Sequence, residues 1–417
     1  MSPFSSLEII DPVFYERSGY PHAAWEHLRE HAPISWWEPP GMPPFWAITR
    51  YRDIEWISTR PKLFLSSPLL AIFPKEQFDP ESFPFRAMTK MDPPEHGQYR
   101  VLSADRFTPR ALEGRRAAIE SIVRERLDAL EGRSEVDFVT DVAAWVAISV
   151  IAEMLGIPPS DRAQLVAWSN ATMGATDPEF QEGDARATED KAIRQQFDYF
   201  AQLIAKRRKD PADDLTSTLA AAGLDGKPLP DWELLSYVVV LMIAGNDTTR
   251  NAMSGGLLAL LEHPRALERL LREPTLLASA VEEMLRWASP VIQFCRTPAE
   301  DVEIRGQRIH AGEALCLFYP SANRDREVFD GPFEFRIDRR PNPHLAFGVG
   351  EHLCLGANLA RLELRILFQA LLDRFDRFEL AGPVERLRSS FVGGIKHLPV
   401  RFGRRPGLTS GKPAAGG

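Results

Sequence analysis

The sequence predicts a mainly α fold, one large helical body with a small β-sheet lobe, and three observations carry that prediction. Apolar residues recur at helical spacing over long stretches, above all Asp231 to Leu261, Leu112 to Leu130 and Val136 to Leu155. Short alternating segments, among them Ile34 to Trp37, Phe45 to Thr49 and Ala314 to Tyr319, supply a few strands. No long Gly, Ser or Pro linker divides the 417 residues, so residues 1–403 read as a single domain and 404–417, rich in Pro, Gly and Ala, as a disordered tail.

In chain order, Pro21 opens a helix to His31. Two strands follow, joined by the turn-rich Glu38 to Pro44 segment, and Tyr51 to Thr59 returns to helix. Ser66 to Phe85 has many prolines and phenylalanines and little periodicity. Two prolines at 93 and 94 start a helix that places His96 and Arg100 four residues apart on one face, where they can grip a carboxylate. Arg106, Arg110, Arg115 and Arg116 make this region basic within a chain of net charge −8, which suggests a docking surface for an acidic protein. Ala163 to Gly174 and Glu189 to Lys209 read as two helices joined by a polar linker.

Asp231 to Leu261 is the longest predicted helix, with Asp231 as its cap and its first half apolar on almost every face. An acid at 247 in that setting needs a reason. The Thr248 hydroxyl can bond back to the Ala244 carbonyl, loosening the helix there. A helix from about Leu276 carries Glu283 and Arg286 on one face, and Ser289 to Phe294 leaves it as an extended apolar segment. Val302 to Ile304, Ile309 and the Arg305-Gly306 turn add strands, Leu355 to Leu372 is helix, and Ser390 to Gly394 with His397 to Arg401 reads as a hairpin.

Composition excludes several classes. Three cysteines, Cys295, Cys316 and Cys354, form no disulfide framework. The acidic balance argues against a nucleic-acid binder, and the most apolar segments, Ala143 to Ile157 and Val238 to Gly245, are too short or too interrupted to span a bilayer. A cytoplasmic protein without a membrane anchor is the expectation.

The most informative stretch runs from Phe347 to Gly356: Phe-Gly-Val-Gly-Glu-His-Leu-Cys-Leu-Gly. Cys354 lies between glycines that permit tight or positive-φ backbone, so that amide N–H groups can point at its sulfur, and a thiolate held there can ligate a metal. His352 could reach an anionic group of a cofactor. This decapeptide resembles the haem-binding loop of the cytochrome P-450 monooxygenases in its aromatic, two glycines, basic residue, cysteine and final glycine. The resemblance covers roughly Tyr20 to Phe402.

The resemblance implies the cytochrome P-450 fold, with a haem b between the Asp231 helix and the Cys354 loop. Cys354 would be its axial thiolate, and Phe347, Gly348, His352 and Gly356 would surround it. Arg100, His96 and Arg296 stand where the family holds the haem propionates, and Ala244 and Gly245 where it leaves space for dioxygen and water. Asp247 and Thr248 resemble the family's acid-alcohol pair, Thr248 steadying dioxygen and Asp247 relaying protons. Glu283 and Arg286 match its Glu-x-x-Arg motif, completed by Arg339, with Arg336 and Arg340 open as alternatives.

Leu241, Met242, Val291, Ile292, Phe294, Phe391 and Val392 would line the pocket of a lipophilic substrate such as a steroid, terpenoid or branched lipid. The Ser66 to Phe85 stretch would roof it. Partners implied are O2 and a ferredoxin served by an NAD(P)H-dependent reductase. A peroxide-driven haem-thiolate peroxygenase, a haem-thiolate sensor or binder, and a zinc site from Cys354, His352 and His344 stay open.

Overall fold

The computed structural model describes residues 7–74 and 86–404. The central helix is Asp231–Glu262, 32 residues or about 48 Å. It is buried because its first half offers no polar face: Val238, Val239 and Met242 have no exposed surface, and Met253 and Leu257 continue the burial further on. Around it pack Arg116–Asp128, Ala144–Leu155, Leu277–Ala288 and Ala357–Arg374, which share one apolar core running from Met88 to Val400. Two glycines permit the close crossings. A Cβ on Gly245 would stand 3.0 Å from Ile151, and one on Gly256 would stand 3.1 Å from Met284.

The smaller lobe holds a five-stranded sheet in the order Ile34–Trp37, Phe45–Ile48, Leu315–Phe318, Gln293–Pro298, Phe64–Leu65. Its pairs are antiparallel except Phe45–Ile48 against Leu315–Phe318. A second sheet joins Phe375–Leu380, Pro399–Arg404 and Glu135–Asp137. The predicted Arg305-Gly306 turn is present, with φ of 52° and 76° closing the hairpin Val302–Ile304 with Gln307–Ile309.

Three expectations change. Val136 belongs to a strand, because Glu135–Asp137 pairs with Pro399–Arg401, and helix begins only after it with a wide turn at Val139–Ala143. The chain from 390 to 401 is no simple hairpin: Ile395–His397 pairs back with Glu385–Arg386, whereas Pro399–Arg404 joins the second sheet. Asp231 is the first helical residue and not a cap, its carboxylate taken by Arg208 at 2.7 Å. The predicted tail lies almost wholly, and the pocket roof partly, outside the described residues. No helix among the described residues is long and apolar enough to cross a membrane.

Candidate active site

The loop around Cys354 owes its path to two glycines in left-handed backbone, Gly348 at φ 67° and Gly350 at φ 79°. Gly350 also lies so near the end of helix Tyr51–Ser58 that a Cβ would stand 2.4 Å from the Ser58 carbonyl oxygen. The Cys354 N–H donates to the Phe347 carbonyl at 2.9 Å, closing the loop just before helix Ala357–Arg374 begins. Cys295 and Cys316 are buried, whereas Cys354 is exposed. Enclosing protein pushes its thiol up, while the Gly356 amide, donating to the sulfur, and the charges of Arg100 and Arg361 pull it back down. The amide that reaches the sulfur is that of Gly356. A Cβ on Gly356 would meet no atom within 4 Å, so the backbone beside the sulfur faces open space. Phe347 is held by the Arg361 guanidinium, 4.5 Å above its ring.

Beside the loop the fold gathers four basic side chains from distant segments. The rings of His96 and His352 stand 4.0 Å apart, His96 Nδ1 meets Glu351 at 3.0 Å, and His352 Nε2 meets the Ser66 hydroxyl at 2.9 Å. Arg100 donates to the Leu353 carbonyl at 2.7 Å. Burial, followed by the charges of Arg296, His96 and Arg100, holds the His352 imidazolium pKa down to about 3. His96 is lowered too, by burial, against the pull of Glu351. Both rings are therefore neutral at pH 7, and the positive charge resides on the arginines.

Arg296 is only 6% exposed, yet its bond is to the neighbouring Cys295 carbonyl at 2.7 Å. Among the described residues no carboxylate pairs with Arg296 or Arg100. A buried guanidinium without a counter-ion is costly, and the arrangement is one that an anionic ligand completes.

The central helix contributes a second face. It is buried along most of its length, but Ala244 is exposed and Ile243, Gly245 and Thr248 are partly so. A helix enclosed at both ends that uncovers one face midway borders an internal space. Thr248 Oγ1 donates to the Ala244 carbonyl at 2.8 Å, leaving its oxygen lone pairs free to accept from that space. Asp247 turns the other way. Its carboxylate accepts from Arg250 Nη2 at 2.6 Å and, in a short bond, from the Ser169 hydroxyl, with Arg250 also on Asn170 at 2.5 Å. Behind Arg250 is a partly open cavity of about 270 Å3, bordered by Asn170, Asn251 and Lys396.

The apolar residues expected to line a pocket divide into two groups. Phe391 stacks edge-on against Phe294 at 5.7 Å and against Phe73 at 5.3 Å, and Val291 bridges to Val392. Met242 and Ile292 are corrections. Neither has exposed surface: Met242 lies on the core-facing side of its helix and packs into the main core, and Ile292, in extended chain, turns into the cluster around Trp25 and Cys295. Leu241 and Val392 are also buried, at 7% and 1% exposed.

The ion-pair network is complete. Arg286 grips both Glu283 oxygens at 2.7 and 2.8 Å, and Arg339 Nε adds bonds at 3.1 and 3.2 Å, all three side chains within 3% of full burial. The Arg336 side chain goes instead to Asp330, while its backbone N–H and Asn342 also bind Glu283.

Spacing gave no sign of Asn342, Ser66, Ser169 or Asn170, each of which is brought to the site only by the fold, and the loop motif gave Glu351 no role. His344 meets Glu282 at 3.2 Å, and among the described residues no three His, Cys, Asp or Glu side chains gather to hold a metal ion, which removes the zinc alternative.

Comparison with known proteins places these features. The family described as cytochrome P450 matches residues 179–391. The steroid C26-monooxygenase of Rhodococcus jostii (strain RHA1) is 37% identical over 417 residues, covering 95% of this chain and 84% of that one. The methyl-branched lipid omega-hydroxylase of Mycobacterium tuberculosis (strain H37Rv) is 38% identical over 397 residues, covering 91% and 90%. The crystal structure of CYP108D1 from Novosphingobium aromaticivorans superposes with a TM-score of 0.88 at 34% identity, covering 96% and 98%. With a Gly-flanked thiol, unpaired arginines beside it and relatives matched nearly end to end, the chain belongs to the cytochrome P450 family and is a monooxygenase.

Proposed function

We propose that this enzyme holds a haem b through Cys354 and inserts one oxygen atom of O2 into a lipophilic small molecule, a steroid, terpenoid or branched lipid. It would take its electrons from NAD(P)H by way of a reductase and a ferredoxin. Support for the substrate class comes from the relatives, whose names specify steroids and methyl-branched lipids, and from the Phe73, Phe294 and Phe391 rings beside the pocket.

The residues fit the cofactor. Cys354 offers the single thiolate, Gly356 leaves room for a ring face, and Arg100 and Arg296 are cations lacking anions, matching two propionates. When bound, such a group supplies dioxygen activation, helped by the electron-donating thiolate.

The chain's own part is orientation, proton supply and exclusion of water. Gly356 N–H donates to the sulfur and moderates its donor strength. The Thr248 hydroxyl, its proton committed to Ala244, accepts a hydrogen bond from whatever occupies the distal space. Asp247 draws protons from the cavity behind Arg250 and carries them inward when its carboxylate leaves Arg250 or Ser169.

The donor-docking surface is smaller than its arginine count suggests. Arg106, Arg115 and Arg116 are paired with Asp213, Glu153 and Glu113, leaving Arg110 and the Arg100 edge.

The observation that carries the reading is the unpaired, buried Arg296 next to the Cys354 loop. Carbon monoxide added to the reduced holoprotein should give the far-red absorption band of sulfur-ligated iron, and Cys354→Ala should abolish it. Survival of the band in that variant refutes the ligand. Higher product yield with hydrogen peroxide than with reduced ferredoxin would establish the peroxygenase instead. A substrate that shifts the spectrum and is never oxidised, despite efficient reduction, would establish the sensor.

A further inference from the structure

A second cavity, about 300 Å3, lies on the same side of the central helix as Thr248 but about one to four turns nearer its C-terminus, between that helix, the end of Leu277–Ala288, the N-terminal Tyr20–His22 segment and the Gly393-Gly394 tip. It has room for about ten waters or for a ligand of aromatic-acid size. Its lining is unusual for a void left by packing, because it carries several polar groups with nothing to bind. Among the described residues, both amide atoms of Asn251, Nε of Arg324 and Nδ1 of His22 are buried and find no hydrogen-bond partner, with Asn251 4% and Arg324 2% exposed. Arg386 also lines the cavity, and among the described residues it has no ion pair. Such groups are rarely left unsatisfied in a folded protein.

The field is positive. Two arginines face one carboxylate, Glu262, which lies at the exposed rim. Arg324 cannot be neutralised by its bonds, which go only to the Arg286 and Trp287 carbonyls at 3.1 Å. His22 adds no charge, since burial and the nearby Arg324, Arg29 and Arg286 hold its pKa well below the usual histidine value. The walls are rings: Trp287 under the Arg324 guanidinium at 4.1 Å, with Tyr20 and Phe333 beside them.

We propose that this cavity is a binding site for a small aromatic carboxylate, distinct from the distal pocket. The two carboxylate oxygens match the fork of Arg386. Asn251 offers a donor amide, and the ring of the ligand packs against Trp287 and Leu258.

Occupancy would be felt at the distal pocket. Asn251 is three residues beyond Thr248, and the Gly394 backbone approaches so closely that a Cβ there would stand 2.5 Å from the Asn251 amide. Gly394 in turn is two residues from Val392, which pairs with Val291 at the pocket wall. This inference is independent of the roles assigned to Cys354, Asp247 and Thr248.

The test is titration of 2-naphthoate into holoprotein whose iron is capped by an azole, followed by calorimetry. Saturable binding is expected, at least tenfold weaker in Arg386→Gln and in Asn251→Asp, and at least tenfold weaker for the uncharged 2-naphthamide, with the carbon monoxide spectrum of both variants unchanged. Absence of saturable binding in the azole-capped protein, or equal binding by Arg386→Gln, by Asn251→Asp or by the amide, overturns it.

Discussion

Thr248 shows how one side chain is set by its backbone. Its hydroxyl proton is tied to the Ala244 carbonyl, so the oxygen faces the distal space as an acceptor. Thr248→Ala removes that acceptor and nothing from the core. Haem and substrate binding should persist while most electrons appear as hydrogen peroxide, measured as product formed per NAD(P)H consumed. Unchanged coupling would remove the assignment. Gly350 makes a different kind of prediction. It combines φ 79° with a Cβ position 2.4 Å from the Ser58 carbonyl, so Gly350→Ala should cost at least about 2 kcal/mol in denaturant unfolding and loosen the thiol loop. Both residues were legible in the sequence, since a glycine before a loop thiol and a threonine four residues after an alanine on a helix are local patterns. Asp247 was legible as an unusual buried acid. Its partner Ser169, 78 positions away, was not, nor was Asn170, which holds the Arg250 paired with Asp247, because only helix packing sets them there.

At the scale of elements, the segment before the haem loop is fastened to helix Leu277–Ala288 by Glu283, with Arg286, Arg339, Asn342 and the Arg336 N–H all on one carboxylate. Removing that carboxylate leaves two buried guanidinium groups unpaired, so Glu283→Ala should cost about 3–5 kcal/mol and lower haem retention together with the melting temperature. Neighbouring Glu282 ties the same helix to helix Ala357–Arg374 through Arg361 and to the segment before the thiol loop through His344. Burial raises the pKa of Glu282, but the bonds from His344 and Arg361 outweigh it and hold the group at about 2, below the ordinary 4.5. The folded state thus binds this proton less readily than the unfolded state. The stabilisation is complete above pH 4.5 and should fade as pH falls towards 2, and Glu282→Gln should flatten that part of the acid-denaturation curve. The sequence named Glu283, Arg286 and Arg339 through a motif. It left Arg336 open because the two arginines are three positions apart and only the final backbone path shows which side chain turns inward.

For the molecule as a whole, His397 joins three parts of the chain. Its Nδ1 meets Asp137 at 2.5 Å in the second sheet, and its Nε2 meets Glu179 at 3.1 Å in the linker between helices Arg162–Met173 and Ala185–Lys209. Lys396 reinforces the joint on Asp177 at 3.0 Å and Glu179 at 3.3 Å. Burial lowers the His397 pKa, and the Asp137 hydrogen bond with the Glu179 charge more than reverses it, so the pKa is raised. This contribution is full below about pH 6.5 and is lost as pH rises through the folded value. Amide exchange across residues 174–184 should accelerate between pH 6 and pH 9 beyond the intrinsic rate, and His397→Gln should erase the difference. Exchange that ignores the substitution would break the proposed joint.

Local chemistry alone determined the helical body, the strands of the small lobe, the thiol loop and the family, because periodicity, turn residues and short motifs are properties of neighbours in sequence. Only the tertiary structure decided which residues act together. It spent three of the basic arginines on Asp213, Glu153 and Glu113, turned Met242 and Ile292 into the core, and among the described residues left Arg296 and Arg386 without a counter-ion and the Asn251 amide without a hydrogen-bond partner. The reason is physical: the energy of a charge or amide depends on what surrounds it, and those surroundings come from segments tens to hundreds of residues away.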